Sequence, residues 1–302
     1  MALRPARQPL ALMQILVNVV VLASIYGLIA CGYVLVYRVS RVLNLAHGEL
    51  MMIGAYMLFT TASLFGGHPV VALVTALALG LAVGVVVYWM LMRHMTGQSV
   101  FAGVLVTIAL GILLRGVMVM VWTGRLRYPL EDLGWDNPSL PVGGGAVISG
   151  AALATILIMA AVYIALFAFF RFSRWGIRMR AAGEDARLAA QRGIRLHGVY
   201  AFAWGMATFT AGIAGMLMAL ESGIDEAMVV IGLKAFPAAL VGGLDSLLGA
   251  LVGSLIVAAA EVLSIHYIDP LVSDVVPFLV LLLMLMIRPW GLFGTREELD
   301  RV

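Results

Sequence analysis

Charge is scarce in this sequence. Of its 302 residues only 12% are Asp, Glu, Lys or Arg, where a soluble globular domain carries roughly a quarter. Lysine is scarcer still: the single example, Lys234, follows Leu233. A nucleotide-binding P-loop needs Gly-Lys-Ser/Thr, so the chain does not present one. One cysteine, Cys31, lies inside an apolar run, which excludes a disulfide within the chain and a cysteine-based metal site. The five histidines are scattered, and His47-Gly48-Glu49 lacks the second histidine that a zinc-protease signature requires. No G-x-S-x-G nucleophile elbow stands out. The residue inventory therefore points away from an enzyme, and any uphill work would draw on an ion gradient or a partner ATPase.

What is abundant is apolar surface. Hydrophobic residues make up 63% of the chain and the mean hydropathy is +1.06. In hydrocarbon only helices or closed barrels satisfy the backbone, and runs of about 20 apolar residues without strand-type alternation mean helices. The expected fold is an all-α polytopic membrane protein with about 8–10 transmembrane or re-entrant helices. Candidate spans fall near 10–37, 42–65, 69–92, 100–122, 146–170, 199–220, 227–243, 247–268 and 271–287. The seventh is short and contains Pro237, which leaves open a full crossing, a broken helix or a re-entrant one. The organisation is a single transmembrane domain over 1–302 with one long polar loop, 171–198.

That loop holds seven arginines (Arg171, Arg174, Arg178, Arg180, Arg187, Arg192, Arg195) against Glu184 and Asp185. Arginine near span ends sets orientation, with the basic side in the cytoplasm. Counting outward places Arg38, Arg41, Arg93 and Arg288 on the same side. The Pro- and Gly-bearing segment 123–145 and the acidic turn Glu221, Asp225, Glu226 then fall outside. The count gives an external N-terminus, against which Arg4 and Arg7 are exceptions, and an internal C-terminus. The net charge of +3 thus speaks of orientation rather than of nucleic acid. Within the loop, Gly183 is expected to break the chain and the two acids to start a short helix. Ala186, Ala189, Ala190 and Gly193 recur at helical spacing on a small-residue face, with Arg187, Gln191 and Arg195 on another. Two readings of this pattern stand: a helix that presses into a groove on another protein, and an ordinary solvated loop.

Inside the spans, polar residues are few. Asn44, His47 and Glu49 interrupt an apolar stretch beside Gly48. Ionisable groups at membrane depth are costly and face a cavity or a partner, so this break is a candidate lining of a transport path. A helix kink, or a place at the cytoplasmic interface beyond Arg41, accounts for it equally. Lys234 and Glu261 are further path candidates, and Arg115 and Glu261 also suit interhelical pairing. The pairs Gly80/Gly84 and Gly249/Gly253 suit close helix packing. Trp89, Trp122, Trp135, Trp175 and Trp290 sit near span ends, as interfacial aromatics do.

Four stretches carry a family likeness in order: RVLNLAHGELMMIGAYM, FSRWGIRMRAAGEDARLAAQRGI, LKAFPAALVGGLDSLLGALVGSLIVAAAE and the closing IRPWGLFG. Together, and over nearly the whole chain, they resemble the permease of bacterial branched-chain amino acid ABC importers, the LivH type. The resemblance implies a multi-pass protein of the bacterial inner membrane, paired with a second permease. It also implies two cytoplasmic ATPases, which would bind the ATP, and a periplasmic substrate-binding protein, with no cofactor on this chain. Gly183, Glu184, Asp185, Ala186, Ala190, Gly193 and Ile194 match the segment that such permeases dock into an ATPase. The loop reads Glu-Asp-Ala where the general importer pattern has Glu-Ala-Ala, and Asp245 stands in the Gly-Gly-x-x-Ser turn where a small residue is also familiar. Related permeases carry urea, short amides or aromatic acids, and an ion-coupled secondary transporter is the competing class. The motifs shape the fold and the coupling, and they leave the substrate open.

Overall fold

A computed structural model describes residues 8–65 and 68–295. Arg4 and Arg7, the two exceptions to the orientation count, lie outside the described residues. Among the described residues six helices are long and apolar enough to cross a membrane. They are α1 (Gln8–Ser40), α3 (Pro69–Met90), α4 (Val100–Trp122), α6 (Gly150–Phe172), α9 (Leu196–Ser222) and α11 (Leu247–Tyr267). Between them lie α2 (His47–Leu64), α5 (Pro129–Leu133), α7 (Arg174–Glu184), α8 (Ala186–Gln191), α10 (Met228–Gly242) and α12 (Val276–Ile287). The protein is an all-α, multi-pass membrane protein, and every candidate span is occupied by a helix.

Helices α1 and α9 form the centre. Both are mostly enclosed by protein, whereas α3, α4 and α6 turn most of their surface outward. The composition explains the division. α9 carries Gly205, Gly212 and Gly215 with Ala203, Ala207, Ala211 and Ala214 in its interior, small residues that let backbones approach where lipid supplies no hydrophobic drive for association. The α2–α9 crossing shows the requirement: a Cβ on Gly54 would run into the Gly212 backbone, and one on Gly215 into the Met51 carbonyl. The Gly249/Gly253 pair behaves similarly against Gly242 of α10, while of Gly80 and Gly84 only Gly84 abuts a neighbour, at Trp204 and Thr208.

Three boundaries differ from the sequence reading, and the helix that holds Pro237 is one whose form the sequence left open. Residues 41–46 are not helical, so α2 starts at His47 rather than at 42. Their backbone is paired within the protein: Thr107 Oγ1 of α4 donates to the Leu43 carbonyl and accepts from Leu45 N–H, both at 3.2 Å. Irregular backbone is tolerated at membrane depth under that condition. The segment 123–145, expected as a turn-rich loop, contains α5 and the start of an antiparallel hairpin of β1 (Ser139–Gly143) with β2 (Ala146–Ser149), which delays α6 to Gly150. α10 runs unbroken through Pro237; its 15 residues make about 22 Å, short of a hydrocarbon core of about 30 Å. The last span is a 3-10 turn, Pro270–Asp274, followed by α12.

The two ends of the bundle are chemically distinct. At one end α7 packs on the last turn of α1, with Gly183 against the Arg38 carbonyl and Arg41 Nη2 donating to the Gly183 carbonyl at 3.4 Å. Tyr88 and His197 join the ends of α3 and α9 there at 2.7 Å. At the opposite end Gln14 brackets Val147 through both its N–H and its carbonyl, and Ser149 donates to Glu221 at 2.6 Å. The basic end and the acidic turn are thus on opposite sides.

Candidate functional site

The polar break of α2 is assembled from three helices. Asn44 closes the 41–46 segment, its Oδ1 accepting from Ala46 N–H at 3.1 Å. His47 is fully enclosed and lies against α1. Its Nε2 lies 3.2 Å from the Ile29 carbonyl and its Nδ1 3.5 Å from Asn44 Nδ2. A carbonyl only accepts, so Nε2 carries the proton and Nδ1 accepts from the amide. The ring leans on Tyr33, centroids 4.4 Å apart, and fills the space left by Gly32. Asn44 and His47 are therefore walled off on every side, and they hold the start of α2.

Glu49 is two residues further along and faces the other way. Its carboxylate lies over Gly111 of α4 and pairs with Arg115 through Oε1 and Nη2 at 2.8 Å. The partners are unequal: the Glu49 side chain is 9% exposed and that of Arg115 is 52% exposed. Arg115 sits seven residues before the end of α4, about 10 Å of helical rise. An arginine at such a depth is costly and ordinarily turns its head to the interface; this one reaches inward to a carboxylate. Beside the pair is a cleft of about 260 Å³ walled by Ile108, Ile112, Val229 and Leu233.

Lys234 and Glu261 form a second, closed cluster on the far side of α10. Lys234 Nζ lies 2.8 Å from Glu261 Oε1 and 2.6 Å from Asp274 Oδ1. Tyr26 of α1 donates to Glu261 Oε2 at 2.5 Å. Lys234 and Glu261 side chains are only 8% and 5% exposed, whereas Asp274 is 73% exposed. The cluster thus ties α1, α10, α11 and the 3-10 turn together around one ammonium. Glu49 and Arg115 are 66 residues apart and Tyr26 and Glu261 are 235 apart; nothing in the sequence pattern links them. Tyr26 escaped the sequence reading because a tyrosine in a span is unremarkable alone, and Asp274 because it stood at the edge of the expected span 271–287, which the structure opens with a 3-10 turn.

The basic loop folds into two helices rather than one. Gly183 lies inside α7, not at a break, and it is needed small because it abuts α1. The break falls at Asp185, whose Oδ1 accepts from Leu188 N–H at 2.9 Å and caps α8. α8 ends in a Schellman arrangement: Gly193 takes φ +83°, its N–H bonds to the Ala190 carbonyl, and Ile194 N–H bonds to that of Ala189. The small residues divide: Ala189 is buried against the bundle while Ala190 and Gly193 are exposed. Glu184, Arg187, Leu188 and Gln191 also face outward, and Leu188 is the apolar member of that face which the spacing argument overlooked. Ala186 and Ile194 are half-buried. Asp245, the other departure from pattern, accepts from Thr295 N–H at 3.0 Å and from its hydroxyl, pinning the end of the described chain to the α10–α11 turn.

No group of three or more His, Cys, Asp or Glu among the described residues is arranged to hold a metal ion.

Three relatives are similar over nearly their whole length. The high-affinity branched-chain amino acid transport system permease protein LivH of Salmonella typhimurium is 32% identical over 314 residues, covering 98% of this chain and all of that protein. LivH of Escherichia coli K12 is 32% identical over 316 residues with the same coverage. BraD of Pseudomonas aeruginosa is 28% identical over 309 residues, 96% of this chain and 98% of that one. The family described as "Branched-chain amino acid transport system / permease component" matches residues 15–285. With that match spanning the bundle from α1 to α12, both ionic clusters and the α7–α8 handle, the chain belongs to this family of transport permeases, whose members are membrane subunits of ABC systems and not enzymes.

Proposed function

We propose that this chain is the membrane-spanning subunit of an importer for branched-chain amino acids in the bacterial inner membrane. A second permease would complete the path, two cytoplasmic ATPases would drive it, and a periplasmic binding protein would deliver substrate. The observation that carries the coupling part is the α7–α8 handle. α8 is preformed, capped at Asp185 and at Gly193, and held to the bundle by Ala189 while Arg187, Leu188, Ala190 and Gln191 stay free. Gly183 joins α7 to the end of α1. A push on α8 by closing ATPases therefore reaches α1, the central helix that carries Tyr26, Tyr33 and the Ile29 carbonyl bonded to His47. A nucleotide-driven partner shifts a two-state bundle by as much as it binds one state better than the other.

The path runs, in this reading, along the first turn of α2, α4 and α10, where Glu49 and Arg115 border the cleft. Asn44 and His47 stabilise the start of α2, and the Lys234–Glu261 cluster holds the other flank of α10 in register. The coupling assignment is tested with Leu188→Asp in the complete complex. The expected result is loss of at least tenfold in binding-protein-stimulated ATP hydrolysis and in leucine uptake, with normal membrane insertion. Unchanged uptake with normal expression would overturn it.

A further inference from the structure

The cleft beside Glu49 and Arg115 has the composition of a small amphoteric molecule turned inside out. It presents one carboxylate, one guanidinium and a wall of Ile108, Ile112, Val229 and Leu233. Among the described residues the pair is joined by one bond, Arg115 Nη2 to Glu49 Oε1. Glu49 Oε2 and four of the five guanidinium N–H groups are left with capacity. Arg115 is half exposed toward this cleft at a depth where an uncovered guanidinium is costly. At about 260 Å³ the space is below the roughly 300–1,000 Å³ usual for drug-sized ligands, which suits a small solute. The Lys234 cluster makes the contrast: there two carboxylates converge on one ammonium, and Tyr26 adds a hydrogen bond to Glu261 Oε2.

We propose that the Glu49–Arg115 cleft is a transient subsite that reads the zwitterionic head of an α-amino acid during passage. This rests on the permease reading above and deepens it. The substrate carboxylate takes the free edge of Arg115, for which the planar fork is suited. Its ammonium approaches Glu49 Oε2, and its aliphatic side chain lies against Ile108, Ile112 and Leu233. Each ionic partner thus adds a substrate contact to the one bond the pair shares, so the head group crosses the bundle without an uncompensated charge. Carboxylates without an ammonium, and amines without a carboxylate, leave one member of the pair unanswered.

The test uses the complete complex in proteoliposomes and the sequence's own scarcity of thiols. Cys31 is buried, so Ile112→Cys, on the exposed wall of the cleft, gives this chain one accessible thiol for a charged methanethiosulfonate, and labelling is read on this subunit alone. Leucine is expected to slow labelling at least threefold. 4-Methylpentanoate and isopentylamine at equal concentration are expected to leave the rate unchanged. In the Ile112→Cys/Arg115→Gln double variant the protection by leucine disappears. The proposal is overturned if the thiol does not label, if leucine gives no protection, if either analogue protects as well as leucine, or if protection survives Arg115→Gln. The analogue arms keep the native ion pair, so they decide the question even where the double variant fails to assemble. Uptake of leucine by the wild-type complex is measured alongside. Absence of that uptake would sink the permease reading itself, whereas uptake without protection sinks only the subsite.

Discussion

The two ionic clusters flank the same short helix and are built to opposite ends. On one flank of α10, Lys234 is answered twice, by Glu261 and Asp274, and Glu261 is answered again by Tyr26. On the other flank, Glu49 and Arg115 share one bond and the guanidinium stays half exposed. The satisfied cluster fixes geometry, because its buried members, Lys234 and Glu261, each have two protein partners. The unsatisfied one tolerates exchange. Burial alone did not separate them, since Glu49, Lys234 and Glu261 are all buried; the number of protein partners did.

Substitutions sharpen this contrast, and their effects on stability fall in a clear order. Lys234→Met removes the ammonium and leaves Glu261 and Asp274 facing one another. The loss expected for breaking a buried pair is about 3–5 kcal/mol, read as a lower midpoint in thermal unfolding of the detergent-solubilised complex. Pairing it with Glu261→Leu is expected to restore much of that loss, since a buried ion pair replaced by apolar residues is often neutral; a double variant as weak as the single one would mean that the cluster is more than a tie. Tyr26→Phe removes one hydrogen bond to a charged group and is expected to cost about 1.5–3 kcal/mol. Arg115→Gln breaks a half-exposed pair, for which about 1 kcal/mol is the ordinary scale, yet leucine uptake is expected to fall at least tenfold. A large loss of stability with uptake per assembled complex unchanged would reverse the roles of the two clusters. Asp274→Asn, at an exposed carboxylate, is expected to stay within about 1 kcal/mol and to leave uptake near the wild-type rate.

The handle offers a smaller comparison of the same kind. Ala189 and Ala190 are neighbours with the same side chain, and one is buried while the other is open. Replacing Ala189 by Leu overpacks the contact with the bundle, where extra methylenes cost about 1–3 kcal/mol. Ala190→Leu adds bulk only on the outward face. It is expected to spare the melting midpoint and to lower ATPase co-purification, which a pull-down with the solubilised permease measures.

Much of the architecture was legible before any coordinates. Continuous apolar runs satisfy their backbone in lipid as helices, so a helix in each of the nine candidate spans and the polar loop between them followed from hydropathy, and arginine placement gave the two ends. His47 and Glu49 drew notice because ionisable groups are conspicuous in an apolar stretch. What local pattern does not encode is who meets whom. The partner of Glu49 is on α4 and the partners of Lys234 are on α11 and in a turn, chosen by helix packing rather than by spacing. The start of α2 depends on Thr107, a residue 60 positions away that pairs the 41–46 backbone. Gly183 reads as a chain breaker in isolation, but its smallness serves a close approach to α1, and a glycine in a helix interior looks the same in sequence whichever reason put it there. The sequence by itself determined that this chain lives in a membrane as helices with a basic handle, because solvation of backbone and charge is a property of each segment. Only the tertiary structure decided which buried charges are locked and which stay open, because that depends on how many partners distant segments bring to the same point.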